Sequence, residues 1–240
     1  MQSTQQVVSR DEWLMARLEL LRREKAHSRA RDELTRARQA LPWVKLEKDY
    51  TFDGPGGNVM LGELFEDKSQ LIIQHFMFDT DWEQGCKSCS FMADHMDRSV
   101  VHIAHRDTAY AVVSRAPLAK LEPFKKRMGW TFKWVSSANS DFNTDFHVSF
   151  TEEELKNSEA YHNFREHTTY PEKEAPGVSA FAKDDAGTVY HTYSVYGRGL
   201  EPFMGAYDLL DIVPKGRDED ELSYTMEWLR LKDAYEDQGD

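Results

Sequence analysis

The sequence predicts an α/β domain with a central mixed sheet flanked by helices, preceded by an N-terminal helical extension. Apolar runs typical of buried strands alternate with amphipathic helical patterns between residues 70 and 137. Further along, a turn at 184–187 separates two short alternating segments, which indicates an antiparallel hairpin. We therefore divide the chain into a helical arm, 1–41, and a domain with a C-terminal helix, 42–240.

The arm is predicted to form one helix or two from Ser9 to about Ala40. Ser9 and Glu12 have the spacing of a capping box, in which each side chain bonds to a free backbone N–H at the helix start. Few large apolar side chains occur in the middle of this segment, so burial alone stabilises the helix little. We expect it to lie across the domain or to pair with a second copy in a homodimer, and Pro42 to end it.

The domain is predicted to begin with a short β unit at 43–60 that leads into a short helix. Three core strands follow, with two helices between them, an order that implies parallel βαβ units. The strands are predicted at 70–78, 108–114 and 131–137, and the helices at 86–107 and 118–128. After an irregular segment with a short helix near 151–166, the remaining predicted elements are a hairpin of 178–182 and 189–193 and helices at 199–210 and 222–235.

Composition and charge exclude several classes of function. A net charge of −12 argues against nucleic acid as the main partner. No apolar run approaches the roughly 20 residues that span a bilayer, so we expect no membrane partner. The N-terminus lacks the pattern of a secretory signal, and we therefore expect a cytoplasmic protein, in which thiols stay reduced.

The two cysteines of the chain, Cys86 and Cys89, form a C-x-x-C motif. The motif follows an apolar run and a loop and opens a predicted helix, a context typical of redox chemistry. Cys86 would be the nucleophile, since a helix N-terminus lowers the pKa of a thiol there, and Cys89 would be the resolving thiol. The nearby cation of Lys87 favours the Cys86 thiolate, whereas three acidic residues in the preceding loop disfavour it. Residues one and four of the motif share a helix face, so the two sulfurs can meet as a disulfide.

Two alternatives stay open for the same cysteines. In the first, they bind a metal with His95, His102 or His105, although a zinc site needs four ligands and the chain offers one cysteine pair. In the second, they are ordinary half-buried residues of a non-catalytic module that binds a ligand or partner. We expect His75, within a predicted buried strand, to be a hydrogen-bonded structural residue.

Several residues near the motif are candidates to shape its pocket or to bind substrate. Lys87 and Ser88 lie between the cysteines, and Trp82 precedes the motif by four residues. Arg115 lies at the C-terminal edge of a predicted core strand, where ligands of α/β proteins bind. A surface salt bridge is an equally good interpretation of Arg115.

The order of elements resembles the thioredoxin fold. In both, a strand leads into C-x-x-C at a helix start, a parallel βαβ unit follows, and a proline precedes an antiparallel hairpin and a final helix. In the thioredoxin fold this proline is cis and faces the cysteines. The resemblance implies the same position for Pro176, which stands just before the predicted hairpin.

Motifs along nearly the whole chain point to one family. They are HFMF at 75–78, DW at 81–82, GCKSCSF at 85–91, ADH at 93–95, AHRD at 104–107, VSRAPL at 113–118, MGW at 128–130, SDFNTDF at 140–146, HTYS at 191–194 and GRG at 197–199. Together they resemble the family called domain of unknown function 899, a thioredoxin-like group. The resemblance implies the fold but no settled reaction.

Two positions depart from better-known relatives of that fold. Thioredoxins carry Trp immediately before the first Cys, where this chain has Gly85. Peroxiredoxins carry Thr or Ser three residues before the reactive Cys, where this chain has Glu83. A carboxylate cannot donate the hydrogen bond that a hydroxyl gives, so a peroxiredoxin-type peroxidase is disfavoured. The sequence favours a thiol–disulfide oxidoreductase with no bound cofactor or metal, which exchanges with an unknown thiol or disulfide substrate and a cellular reductant.

Overall fold

The computed structural model describes residues 5–235. The chain divides into two compact units, Met1–Pro42 and Trp43–Asp240. Within the described residues the first unit contains a single helix, α1 (Arg10–Gln39), which is one of the two arrangements expected from the sequence.

The start of α1 is held by the predicted capping box. The backbone N–H of Glu12 donates to Ser9 Oγ at 3.3 Å, and the backbone N–H of Ser9 donates to the Glu12 carboxylate at 2.9 Å. No side chain of α1 is buried, so capping and helix propensity contribute much of its local stability. Pairing of this helix with a second chain stays a prediction.

The second unit is built on β-sheets. The strands are β1 (Val44–Lys45), β2 (Thr51–Gly54), β3 (Gly57–Met60), β4 (Gln70–His75), β5 (Thr108–Ser114), β6 (Lys133–Ser136), β7 (Ala160–His162), β8 (Arg165–Thr168), β9 (Gly177–Lys183) and β10 (Val189–Tyr196). Within the described residues eight of them form one mixed sheet, in the order β1-β10-β9-β4-β5-β6-β2-β3, and a separate two-stranded sheet pairs β7 with β8. The helices are α2 (Lys87–Ala104), α3 (Leu118–Met128), α4 (Phe142–Asp145), α5 (Glu152–Asn157) and α6 (Gly205–Leu210), with 3₁₀ turns at Leu61–Phe65 and Gly197–Phe203.

Strand β4 lies at the centre of this sheet. It pairs parallel with β5 on one side and antiparallel with β9 on the other. The β5 strand pairs parallel with β6, so β4–α2–β5–α3–β6 forms two consecutive βαβ units. The β9–β10 hairpin and the helical segment after it complete a thioredoxin-like arrangement, which confirms the predicted fold class.

The sheet separates two cores because alternate side chains of a strand point to opposite faces. Ile72 and Phe76 face the core formed with α2 and α3. Leu71 and Ile73 face the other core, which contains aromatic side chains from α4 and β9. Since α2 covers only the first face, the cysteines lie on that side of the sheet.

The C-terminal segment differs from its prediction. The expected helix at 222–235 is wrong, because the described chain after Leu210 runs in turns. The Glu219 carboxylate organises them by accepting hydrogen bonds from the Tyr207 hydroxyl, the Met226 N–H and the Trp228 indole N–H. Met226 has φ of 70°, which a right-handed helix does not allow. Side-chain to backbone bonds here replace the helical ladder.

Two other predicted helices are interrupted. The helix expected near 151–166 ends after α5, where Ser158 adopts a left-handed conformation (φ 55°) and the β7–β8 hairpin follows. The helix expected at 199–210 divides at Met204 into a 3₁₀ turn and α6. Pro202 lies just before this break and lacks the N–H that a continuous helix would use.

The helices of the described residues, 5–235, include none that is long and apolar enough to cross a bilayer.

The core around Trp134 provides a test of the packing. Trp134 is 1% exposed, its ring lies 4.8 Å from that of Phe76, and its indole N–H donates to Ser114 Oγ at 3.0 Å. We expect Trp134→Ala to lower the free energy of unfolding by about 3–5 kcal/mol. Trp43, which is 58% exposed, supplies the control: Trp43→Ala should cost about 1 kcal/mol or less. Urea denaturation followed by circular dichroism measures both, and equal losses would contradict this packing.

Candidate active site

The two cysteines lie where the loop after β4 enters α2. Cys86 is the N-cap of this helix, and Cys89 lies in its first turn. Both cysteines are hydrogen-bonded to the backbone of Met77, which lies two residues after the end of β4. The Cys86 N–H donates to the Met77 carbonyl at 3.0 Å, and the Met77 N–H donates to Cys89 Sγ at 3.4 Å. These two bonds set both sulfurs beside the C-terminal end of the central strand.

The two thiols have different environments. Cys86 is partly exposed, whereas Cys89 is 1% exposed. A hydrogen bond from the Cys89 thiol lowers the pKa of Cys86 to about 7, with further help from the backbone N–H groups of Ser88 and Cys89 at the helix start. Burial raises the pKa of the Cys89 thiol well above its usual value. Near neutral pH this arrangement can present a thiolate at Cys86 beside a protonated thiol at Cys89.

A buried amide supports the first turn of α2. Gln74 Nε2 donates to the Cys89 carbonyl at 3.0 Å, and the Tyr110 hydroxyl donates to Gln74 Oε1. Gln74 and Tyr110 are both buried, so each would be costly to leave unpaired. Sequence reasoning did not single out Gln74, although a polar residue inside an apolar strand was a usable signal.

The thiols open into a cavity of about 950 Å³, a size typical of small-molecule sites. Met77 and Met92 line it beside the cysteines, and Tyr170 and Pro171 contribute from the loop before β9. The opposite wall comes from residues 197–226. Its members include Leu200, Met204, Tyr207, Arg217, Glu219 and Met226. Sequence reasoning missed this wall because it is assembled by turns around Glu219.

Two of the predicted site-shaping residues reach this cavity. Ser88 and Pro176 line it together with the cysteines. None of the peptide bonds in the described chain is cis, so Pro176 takes this position as a trans proline. In this respect Pro176 differs from the cis proline of the thioredoxin fold.

Trp82, Lys87 and Arg115 lie outside the cavity lining. Trp82 packs half-buried against the core, and its carbonyl accepts a hydrogen bond from Lys120 Nζ at 2.8 Å. Lys87 is exposed at the first position of α2. The structure therefore does not bring these three side chains to the surface that a bound molecule would contact.

Arg115 instead pairs with a buried carboxylate. Its guanidinium lies 3.3 Å from Glu174, whose side chain is 1% exposed. Ser149 and Asn143 donate further hydrogen bonds to the same carboxylate, at 2.8 and 3.3 Å. Burial is the main cause that raises the pKa of Glu174 to about 7. Because Glu174 precedes Pro176 by two residues, this cluster ties the proline loop to the end of β5.

The histidines considered as metal ligands are not gathered around the cysteines. His95 Nδ1 lies 2.7 Å from the Phe91 carbonyl, and its Nε2 accepts from the Ala206 N–H at 3.1 Å, which joins α2 to α6. Across residues 5–235, His, Cys, Asp and Glu form no group of three or more that could hold a metal ion. His75 is buried with Nε2 2.7 Å from Ser179 Oγ, in agreement with the expected structural role.

The structure explains why glycine stands before the first cysteine. A Cβ at Gly85 would lie 2.5 Å from Phe76 Cε1 and 2.9 Å from Phe124 Cε1. Both phenylalanines are buried, so neither ring has free space into which to move. A tryptophan at this position, as in thioredoxins, would not fit the present packing.

Comparison with known proteins now assigns the chain to a family. The model of the family described as "Bacterial protein of unknown function (DUF899)" matches residues 2–235. The chain belongs to this family. No curated protein matches the chain.

Among solved structures, the chain is similar to the peroxidoxin BcpB from Mycobacterium tuberculosis. The identity is 12% and the TM-score 0.46, over 69% of this chain and 93% of that one. It is also similar to peroxiredoxin Q from Xanthomonas campestris, with 11% identity and a TM-score of 0.44, over 70% and 94% of the two chains.

The packing at Gly85 leads to a first prediction for the site. We expect Gly85→Ala to lower the free energy of unfolding by about 1–3 kcal/mol, because the added methyl group must displace a buried ring. Gly62→Ala is the matched control, since a Cβ there meets nothing within 4 Å. Thermal and urea denaturation would measure both variants. If Gly85→Ala proved as stable as Gly62→Ala, the proposed clash with the rings would be refuted.

The thiol environment leads to a second prediction. Alkylation of Cys86 by iodoacetamide should accelerate as pH rises and reach half its plateau rate near pH 7, because the thiolate is the reacting form. Cys89→Ala removes the main hydrogen bond to this thiolate and should move the midpoint to higher pH. Cys89→Ser keeps a donor and should move it less. The hydrogen bond from Cys89 would be contradicted if the alkylation midpoint lay near about 8.5, the ordinary pKa of a cysteine, and if Cys89→Ala left that midpoint unchanged.

Proposed function

We propose that the chain is a thiol–disulfide oxidoreductase in which Cys86 attacks and Cys89 resolves. The observation that carries the proposal is the difference between the two thiols. Cys86 is partly exposed to the cavity with its pKa lowered to about 7, and Cys89 is buried and protonated behind it. Thiol–disulfide exchange requires this difference between the thiols, because the attacking cysteine must be a thiolate, whereas the resolving cysteine reacts only after a mixed disulfide has formed.

The proposed cycle conserves atoms and electrons. The Cys86 thiolate attacks one sulfur of a substrate disulfide, the S–S bond breaks, and the other sulfur leaves as a thiolate that takes up a proton. Cys89 then gives up its proton and attacks Cys86 Sγ, which releases the second substrate thiol and leaves a Cys86–Cys89 disulfide. The substrate has gained two electrons and the protein has lost them, and a cellular dithiol reductant returns the protein to its starting state.

The size of the cavity supports the proposal that the substrate is a small molecule. Its volume of about 950 Å³ lies within the range of sites for small molecules. Methionine, leucine and tyrosine side chains form the apolar part of its wall, where an organic disulfide can bury apolar surface, and charged side chains such as Lys215 and Arg217 line the rest. Small disulfides are therefore suitable probes of the proposed reaction.

The proposal predicts a reversible disulfide between the cysteines. Mass spectrometry of the intact chain, equilibrated at graded ratios of reduced to oxidised glutathione, should show a loss of two hydrogen masses under oxidising conditions. Cys89→Ser should instead accumulate a mixed disulfide on Cys86 after treatment with hydroxyethyl disulfide. Cys86→Ser should accumulate little, because the remaining thiol is buried and protonated.

Failure to lose two hydrogen masses at any glutathione ratio would refute the oxidoreductase. The interpretation as a non-catalytic binding module would then gain support, provided that Cys86→Ser still binds the same small molecules.

A further inference from the structure

The cavity wall carries a tyrosine that the proposed cycle has not used. Tyr170 lines the cavity together with Cys86 and Cys89. Its ring is half-buried, and its hydroxyl takes part in none of the hydrogen bonds found within residues 5–235. A donor in this position can engage a molecule that enters the cavity.

Most other partly buried tyrosines already use their hydroxyl groups. Tyr110 donates to Gln74, and Tyr196 donates to the Phe146 carbonyl at 3.0 Å. Tyr207 also lines the cavity, but its hydroxyl donates to Glu219 at 2.9 Å. Among the tyrosines of the cavity lining that are at least partly buried, Tyr170 is therefore the one whose hydroxyl has no acceptor within residues 5–235.

The ring of Tyr170 is held in place by two buried aromatic side chains. Its centroid lies 5.0 Å from that of His162 and 5.4 Å from that of Phe150. His162 Nδ1 donates to the His147 carbonyl at 3.1 Å, and the Phe150 N–H donates to the Lys173 carbonyl at 2.9 Å. Because its neighbours are anchored, the phenol loses little conformational freedom when it binds a ligand.

Electrostatics favour the protonated phenol. Burial is the main cause that raises the pKa of Tyr170, and the neighbouring cysteines raise it further when they are ionised. The hydroxyl therefore stays a hydrogen-bond donor across the pH range in which Cys86 becomes a thiolate.

We propose that the Tyr170 hydroxyl donates a hydrogen bond to the leaving sulfur of the substrate disulfide. This role rests on the oxidoreductase function proposed above. When Cys86 Sγ attacks the nearer sulfur, the electron pair of the broken S–S bond passes to the farther sulfur, which develops a negative charge inside the cavity. The Tyr170 O–H stabilises this charge, and solvent later supplies the proton that completes the leaving thiol. A fixed donor aimed at a developing charge accelerates a reaction more than one exposed to water.

The dependence of rate on the leaving group tests this role. Tyr170→Phe keeps the ring and removes only the hydroxyl. Reaction of the reduced chain would be followed by stopped flow with two uncharged probes, dithiodipyridine, whose leaving thiol is acidic, and hydroxyethyl disulfide, whose leaving thiol is not. We expect Tyr170→Phe to slow the reaction with hydroxyethyl disulfide roughly tenfold to a hundredfold, the worth of a hydrogen bond to a charged group. Reaction with dithiodipyridine should change less than about threefold, since that leaving group needs little stabilisation.

Two controls separate this role from a structural one. Tyr161→Phe is the same substitution in the neighbouring β7 strand, on a residue outside the cavity lining, and should leave the ratio of the two rates unchanged. The pH midpoint of Cys86 alkylation should also be the same in Tyr170→Phe as in the unmodified chain.

Equal slowing with both probes, or no slowing with either, would overturn the role of Tyr170 while leaving the oxidoreductase intact. A shift of the Cys86 midpoint to higher pH with equal slowing would assign the hydroxyl to the Cys86 thiolate instead. If the unmodified chain reacted with neither probe, the oxidoreductase function itself would fail, and the role of Tyr170 with it.

Discussion

The two hydrogen bonds between the Met77 backbone and the cysteines connect the fold to the candidate site. Through these bonds Met77, just after β4, fixes both the N-cap residue and the first turn of α2. Strand β4 is itself fixed by neighbours on both sides, so the position of the sulfurs is set by the centre of the sheet rather than by a mobile loop. The buried Gln74 amide adds a third connection from the same strand to the same turn.

How far the sequence predicts this structure depends on the range of the interactions. β5 and α3 have their predicted bounds, Thr108–Ser114 and Leu118–Met128, because strand and helix periodicities are local and Gly129 provides a left-handed C-cap. The segment after Leu210 was mispredicted because the spacing of its apolar residues resembles a helix, whereas its conformation is set by bonds to the Glu219 carboxylate. The spacing of apolar residues along the sequence does not predict such hydrogen bonds.

The same distinction applies to the site. The spacing and context of Cys86 and Cys89 were visible in the sequence, and the structure places both at the start of a helix beside a cavity. Arg115 was placed correctly at the end of a strand, but its partner, Glu174, lies 59 residues away and draws it into a buried cluster. Tyr170 was not recognised, because its role as a cavity residue depends on a loop that only the tertiary structure brings to the thiols.

A thiol exchange within a cavity must stabilise two negative charges, one on the attacking sulfur and one on the leaving sulfur. The first has identified partners: the Cys89 thiol and the N–H groups at the start of α2 lower the pKa of Cys86. Those donors surround Cys86, while the leaving sulfur departs on the opposite side of the attacked atom and so needs a donor from elsewhere on the cavity wall. On that wall the Arg217 guanidinium is paired with Asp211 and Glu201, and the Tyr207 hydroxyl is already bonded to Glu219. The anchored ring of Tyr170, with its hydroxyl unbonded in the described chain, meets this requirement, which is why its removal should affect poor leaving groups most.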